Sequence, residues 1–190
     1  MPFKDFAAGE LLTSSDVDTY LMSQVIIRCT SSTRPSSPAQ GWHIYETDTS
    51  QFMVYNGSSW VRESLNPSGA TVATSQSTSN TSYTDLTTTG PSVTVTTRSS
   101  AIIVVSARVS TSASGSGCSM GHAVSGASSL AASETKALLI RPTSGGIDEA
   151  SSYVCFRSDL TPGSNIFTAK YRATSADATF MDRNILVIPV

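Results

Sequence analysis

The residues in this chain that could do chemistry are few and poorly partnered. There are two histidines, His43 and His122. General-base work needs a nucleophile beside the imidazole and an acid to orient it. His43 falls in an alternating aromatic segment and His122 in Met120-Gly121-His122-Ala123, and neither neighbourhood supplies such a set. The three cysteines, Cys29, Cys118 and Cys155, are far apart and lack CxxC spacing, so they read as buried or half-buried free thiols rather than a disulfide framework or a zinc knuckle. Carboxylate pairs cleave glycosidic bonds when held about 5–9 Å apart. Asp148 and Glu149 are adjacent, so a strand would point them to opposite faces, and the glycines before them suggest a loop; Asp177 and Asp182 are separated along the chain. GxSxG, HExxH, P-loop and GxGxxG patterns are absent, as is a loop of repeated carboxylates for a hard cation. The expectation is a protein that is not an enzyme and holds no cofactor or metal.

Binding chemistry is easier to find. Aromatic faces stack on pyranose rings, and Tyr83, Tyr153 and Trp42 are candidates, with core packing as the competing use. Residues 41–60 (GWHIYETDTSQFMVYNGSSW) carry both tryptophans, Trp42 and Trp60, with Tyr45, Phe52 and Tyr55 between them. Trp42, Tyr45, Tyr55 and Trp60 are therefore candidates for contacts with other subunits or proteins. The charge balance narrows the partners. Twelve Lys/Arg against fourteen Asp/Glu give −2, and the basic residues are scattered, which argues against nucleic acid. No apolar run approaches the ~20 residues of a membrane span, and the start of the chain lacks the regions of a secretory signal. A soluble, cytoplasmically made protein without membrane insertion is expected.

Local patterns say which elements must position these residues. Thr13 suits a helix cap and Asp16 completes a capping box, with Leu12 and Val17 at staple positions. Val17, Tyr20 and Leu21 then recur at helical spacing over roughly two to three turns. So short a helix is marginal alone, which makes its apolar stripe a second candidate contact surface. Residues 25–29 read as a strand and residues 30–40, with two prolines and four serines, as a loop. Residues 42–46, 51–55 and 60–62 read as a three-stranded meander turning at 47–50 and at Asn56-Gly57, both of which tolerate positive φ. Asn66-Pro67-Ser68-Gly69 opens a linker, placed at 66–80. Beyond it, short strands at 92–97, 101–109, 119–124, 136–141, 150–157, 166–172 and 184–190, with Gly/Pro/Ser turns, indicate an antiparallel β-sandwich over residues 81–190. The fold class is mainly β, with a short helix and meander at residues 1–65. The sandwich is expected to be a jelly roll, with an immunoglobulin-like sandwich as the alternative.

Two motifs carry a resemblance. The first comprises Phe6, Gly9, Glu10, Leu12, Thr13 and residues 16–22; the second comprises Gly41, Tyr45, Asp48, Thr49, Tyr55, Asn56, Gly57, Ser58 and Trp60. In this order they resemble the N-terminal part of tail-fibre and minor tail proteins of actinobacterial phages, over about the first third of the chain. Trp42-His43-Ile44 is bulkier than the family's usual residues there. Segments 82–86, 90–95 and 160–164 resemble the trimeric jelly-roll domains of C1q/tumour-necrosis-factor type at the ends of phage fibres. The resemblance implies a homotrimeric virion structural protein assembled in a bacterial cytoplasm. Residues 1–65 would anchor to other virion proteins of the tail, and the C-terminal knob would present Tyr83 or Tyr153 to host-surface glycan. A head-fibre or capsid-decoration protein is the alternative within that class, and a stand-alone carbohydrate-binding module the alternative outside it.

Overall fold

The computed structural model describes residues 7–18, 26–63, 65–111, 113–143 and 146–190. The chain divides into two compact units, Met1–Leu65 and Asn66–Val190.

In the first unit Thr13 caps a helical turn at Ser14–Asp16. Its hydroxyl oxygen accepts the Asp16 N–H at 3.1 Å, and the Asp16 carboxylate accepts the Thr13 N–H at 3.1 Å. This is the expected capping box. Val17 follows half-buried, whereas Tyr20 and Leu21 lie outside the described residues. The sheet contains β1 (Ile27–Cys29), β2 (His43–Glu46), β3 (Gln51–Tyr55) and β4 (Trp60–Arg62), in that spatial order. β2, β3 and β4 form the expected antiparallel meander. β1 joins it in parallel with β2, so residues 30–42 must cross back over the sheet.

Polar contacts pin that crossover. The Asp48 carboxylate accepts the Ser31 N–H at 2.9 Å and the Ser31 hydroxyl at 2.5 Å. Glu46, only 1% exposed, is paired with the Arg34 guanidinium and accepts the Thr49 hydroxyl at 2.8 Å. The hydrogen bond from Arg34 holds the Glu46 carboxyl below its ordinary range. The second turn is longer than expected. Asn56 keeps negative φ and only Gly57 is left-handed, at 101°. The Asn56 side-chain carbonyl instead accepts the N–H groups of Ser58 and Ser59 at 3.0 and 2.9 Å, an Asx turn over four residues.

The second unit contains β5 (Ser68–Val72), β6 (Gln76–Thr78), β7 (Ser92–Thr97), β8 (Ala101–Thr111), β9 (Cys118–Gly126), β10 (Leu138–Ile140), β11 (Ile147–Arg157), β12 (Gly163–Ala173) and β13 (Ala178–Pro189). They form two sheets, ordered β10-β9-β12-β7 and β11-β8-β13-β5, with β6 also paired to β13. From β7 to β13, every step along the chain crosses between the sheets except the hairpin β9–β10. The first strand, β5, lies beside the last. This is jelly-roll connectivity; an immunoglobulin-like sandwich would pair consecutive early strands in one sheet. Residues 66–80, expected as a linker, instead supply β5 and β6, because the short runs at 68–72 and 76–78 find partners on β13.

Period-two alternation builds the core. β7 turns Val93 and Val95 inward, β8 Ile103, Val105 and Val109, and β12 Phe167, Ala169 and Tyr171. β13 begins at Ala178, earlier than the expected residue 184, and a β-bulge between Met181 and Asn184 makes that possible. Before the bulge Ala178 and Phe180 face inward; after it Arg183, Ile185 and Val187 do. The bulge shifts the alternation by one residue, and it sends a fully buried arginine into the core. The segment expected as one strand at 136–141 is a 3₁₀ turn, Glu134–Lys136, followed by the short β10.

Candidate functional site

On the outer face of the β10-β9-β12-β7 sheet, outward side chains of β12 and β9 meet a covering segment. Residues 80–86 run beside the end of β12. Thr84 and Tyr171 exchange backbone hydrogen bonds at 2.9 Å, and Ala173 N–H donates to the Asn80 carbonyl at 2.8 Å. This lays Tyr83 over Gly121, where an added Cβ would come within 3.3 Å of the phenol ring. A side chain at position 121 would therefore push the tyrosine away. The Ser119 hydroxyl donates to the Leu138 carbonyl at 3.0 Å, so the Tyr83 hydroxyl is the donor in its 2.6 Å bond to Ser119.

Beside Tyr83 lies an open groove of about 490 Å³. It is lined by the polar side chains of Tyr83, Lys170 and Arg172, by Ala123, Ala131 and Ala132, and by the hydroxyls of Thr81 and Ser82. Lys170 Nζ is 2.7 Å from Asp85. Arg172 lies 5.3 Å from the centre of the Tyr83 ring and 2.8 Å from Glu134, whose other oxygen takes Arg141 at 2.9 Å. Such partly exposed pairs add at most about 1 kcal/mol each to stability; their effect here is to hold charged groups in place.

Of the two tyrosines singled out for glycan contact, only Tyr83 lines this groove. Tyr153 sits on β11, on the inward face of the opposite sheet, and its hydroxyl donates to the Thr135 carbonyl at 3.0 Å. Alternation along β12 puts Lys170 and Arg172 on its outward face, but nothing local says that residues 80–86 fold beside them.

The aromatic contact candidates of the first unit separate onto two faces. Tyr55 and Trp60 pair at 5.4 Å across β3 and β4, on the face of Ile44 and Met53, as the alternation also places Trp42. Tyr45 lies on the other face, 5.0 Å from Phe52, which is 49% exposed, with Val61 nearby. Phe52 and Val61 complete that exposed patch.

A second exposed apolar surface lies on the outer face of the β11-β8-β13-β5 sheet. Register places Phe156, Ile102 and Ile188 in one cross-strand row and Val154, Val104 and Leu186 in the next. Val154 is 60% and Phe156 56% exposed. The adjacent row is polar: Ser152, Ser106 and Asn184. Val154 and Phe156 alternate along β11 with the inward Tyr153 and Cys155, so their exposure follows from the strand's period of two.

The remaining reactive side chains are packed away. Burial pushes the Cys118 thiol up to about 11 and raises Cys155 as well, which leaves both protonated at neutral pH. His122 is buried, and its Nε2 faces Arg157 Nη1 at 3.2 Å. A guanidinium only donates, so Nε2 accepts and the proton sits on Nδ1, which is buried without a partner. Asp148 and Glu149 lie on β11 rather than in a loop, and Asp148 is held by Arg108 in a bidentate pair at 2.7 and 2.6 Å. Among the described residues no group of three or more His, Cys, Asp or Glu side chains is placed to hold a metal ion, and no helix is long and apolar enough to cross a membrane.

No protein-family model matches the chain, and no curated protein sequence matches it.

Proposed function

We propose that this protein is a non-enzymatic structural component of a phage virion, a homotrimer of tail-fibre or minor-tail type. Residues 1–65 anchor it to neighbouring virion proteins, and the jelly roll is presented outward for adhesion to the host surface. The observation that carries this reading is the pair of apolar rows on the β11-β8-β13-β5 face. Exposed apolar surface of this kind, bordered by polar residues, marks an interaction site, and burial between copies of the chain removes it from water. The jelly-roll connectivity and the capped N-terminal turn ahead of an aromatic meander agree with the resemblance in the sequence.

Solution mass tests the assembly. The wild-type protein is expected to run as three chains at micromolar concentration, and the double variant Val154→Lys/Leu186→Lys as one chain. Both side chains point to solvent within a single chain, so the variant should unfold within about 1 kcal/mol of wild type. A single-chain mass for the wild type would remove the trimer from the proposal.

A stand-alone carbohydrate-binding module is the second reading, and the groove beside Tyr83 favours it. A chain beginning at Asn66 separates the two. A virion protein shortened in this way should no longer be found in purified particles, whereas a module should keep its glycan affinity and lose nothing else.

A further inference from the structure

The charges around the Tyr83 groove do not cancel. Glu134 serves two guanidinium groups, Arg172 at 2.8 Å and Arg141 at 2.9 Å, and Asp85 serves Lys170 at 2.7 Å. Of these five groups only the two cations Lys170 and Arg172 line the groove, whose lining includes no carboxylate. Arg172 Nε is also buried without a hydrogen-bond partner among the described residues. The cavity, about 490 Å³, falls within the usual span of small-molecule sites, roughly 300–1,000 Å³. Three small alanines, Ala123, Ala131 and Ala132, and the hydroxyls of Thr81 and Ser82 complete the lining.

We propose that this groove binds an acidic saccharide: a sugar ring carrying a carboxylate or phosphate, with the anion against Lys170 and Arg172. Ring hydroxyls then meet Thr81 and Ser82, and Asp85 beside Lys170 supplies an acceptor for a sugar O–H. A neutral sugar would leave the cationic part of the lining, Lys170 and Arg172, unused. A free inorganic anion would leave the alanines and the hydroxyls unused. Arg172 is already fixed by Glu134 and by the face of Tyr83, so little side-chain freedom is lost when an anion arrives. A single shallow site of this kind is weak, and multiple copies on one assembly raise its avidity. The inference deepens the adhesion reading and depends on it only for where the saccharide is displayed.

The test is amide NMR of the full chain, titrated in parallel with methyl glucuronide, glucose 6-phosphate, methyl glucoside and inorganic phosphate. Saturable shifts are expected at Ser82, Ala123 and Ala131 with at least one of the two acidic sugars, and which one responds identifies the anion. Methyl glucoside and inorganic phosphate should each bind about tenfold more weakly, the scale of one charge-assisted contact or one set of ring contacts. Ala131 is exposed, so Ala131→Glu puts a carboxylate at the groove mouth without disturbing the core. It should weaken the acidic sugar at least tenfold while the remaining spectrum stays in place. Equal affinity for acidic and neutral sugars, inorganic phosphate binding as tightly as either acidic sugar, or unchanged affinity in Ala131→Glu would each overturn the proposal. Host-cell binding separates it from the adhesion reading. Cell adhesion that survives Ala131→Glu defeats the groove and leaves adhesion standing. Acidic-sugar binding by a protein that adheres to no host cell does the reverse.

Discussion

Replacing Arg183 with alanine is expected to cost the C-terminal unit about 4 kcal/mol, measured as the change in chemical denaturation relative to wild type. Arg183 is 0% exposed and is among the largest side chains fully inside the protein. Its guanidinium meets four oxygens: the carbonyls of Thr88 and Gly90, both at 3.4 Å, the carbonyl of Thr74 at 3.2 Å, and the Gln76 side chain at 3.3 Å. It also lies 5.3 Å from the centre of the Tyr171 ring. None of these hydrogen-bond partners is a carboxylate. The guanidinium thus donates to two stretches of chain, residues 74–76 and 88–90, which the Gln76 side chain and Thr88 also join directly.

Truncation would leave a cavity and take the guanidinium from the Thr74 and Thr88 carbonyls, while Gly90 keeps the Tyr171 hydroxyl and Gln76 the Thr88 N–H; each buried polar group left unmet costs roughly 1–3 kcal/mol. Arg183→Met tells the two contributions apart. It fills most of the volume without supplying donors, and it also removes the cost of burying a charge, so it should lose less than alanine does. A loss below about 1 kcal/mol in Arg183→Ala would mean that water or a shift of the loops replaces the guanidinium.

The second large effect is in pH. Burial lowers the His122 pKa from 6.5 to about 4, and the neighbouring Arg157 guanidinium adds to the depression. In the unfolded chain the imidazole returns to its ordinary value and takes up a proton below about pH 6.5. Between pH 6.5 and about 4 the unfolded state thus binds a proton that the folded state refuses, and stability falls as the pH falls. Above that window both states are neutral at this position, and below it both are protonated. The fall across the window should be about 3 kcal/mol.

His122→Gln removes the titration, and its stability should stay nearly flat from pH 6.5 to 4. Carboxylates act lower. The Arg157 hydrogen bond holds Asp159 below its ordinary value of 3.8, so its contribution is present above that pH and is lost as the pH drops through the lowered value. Denaturation curves at steps across pH 4–6.5 check this. A wild-type slope that persists unchanged in His122→Gln would place the acid sensitivity elsewhere.

Much of the secondary structure was open to local reasoning because its causes are local. The capping box at Thr13 and Asp16 depends on four consecutive residues. β3, β4 and β7 have the bounds that their alternation and flanking turns indicate. Strand ends drifted where side chains are small and polar. β9 and β12 run on through Gly, Ser and Asn because their neighbours in the sheet supply hydrogen bonds that propensity does not register. The candidate site was half legible. Tyr83 was singled out for its chemistry and lines the groove, whereas Tyr153, chosen on the same grounds, is used in packing.

What the sequence determines by itself about this protein is its class: strands of period two, Ser/Thr on the wet faces and a capped N-terminal turn. These follow from neighbours a few residues apart. Tertiary structure alone decides that β5 closes onto β13, that a bulge at Asp182 reverses the inward phase and buries Arg183, and that residues 80–86 fold beside β12 to make a groove. Each of these pairs residues roughly 70 to 120 positions apart. At that separation the free energy of pairing depends on which other strands are already in place, and no local window contains that information.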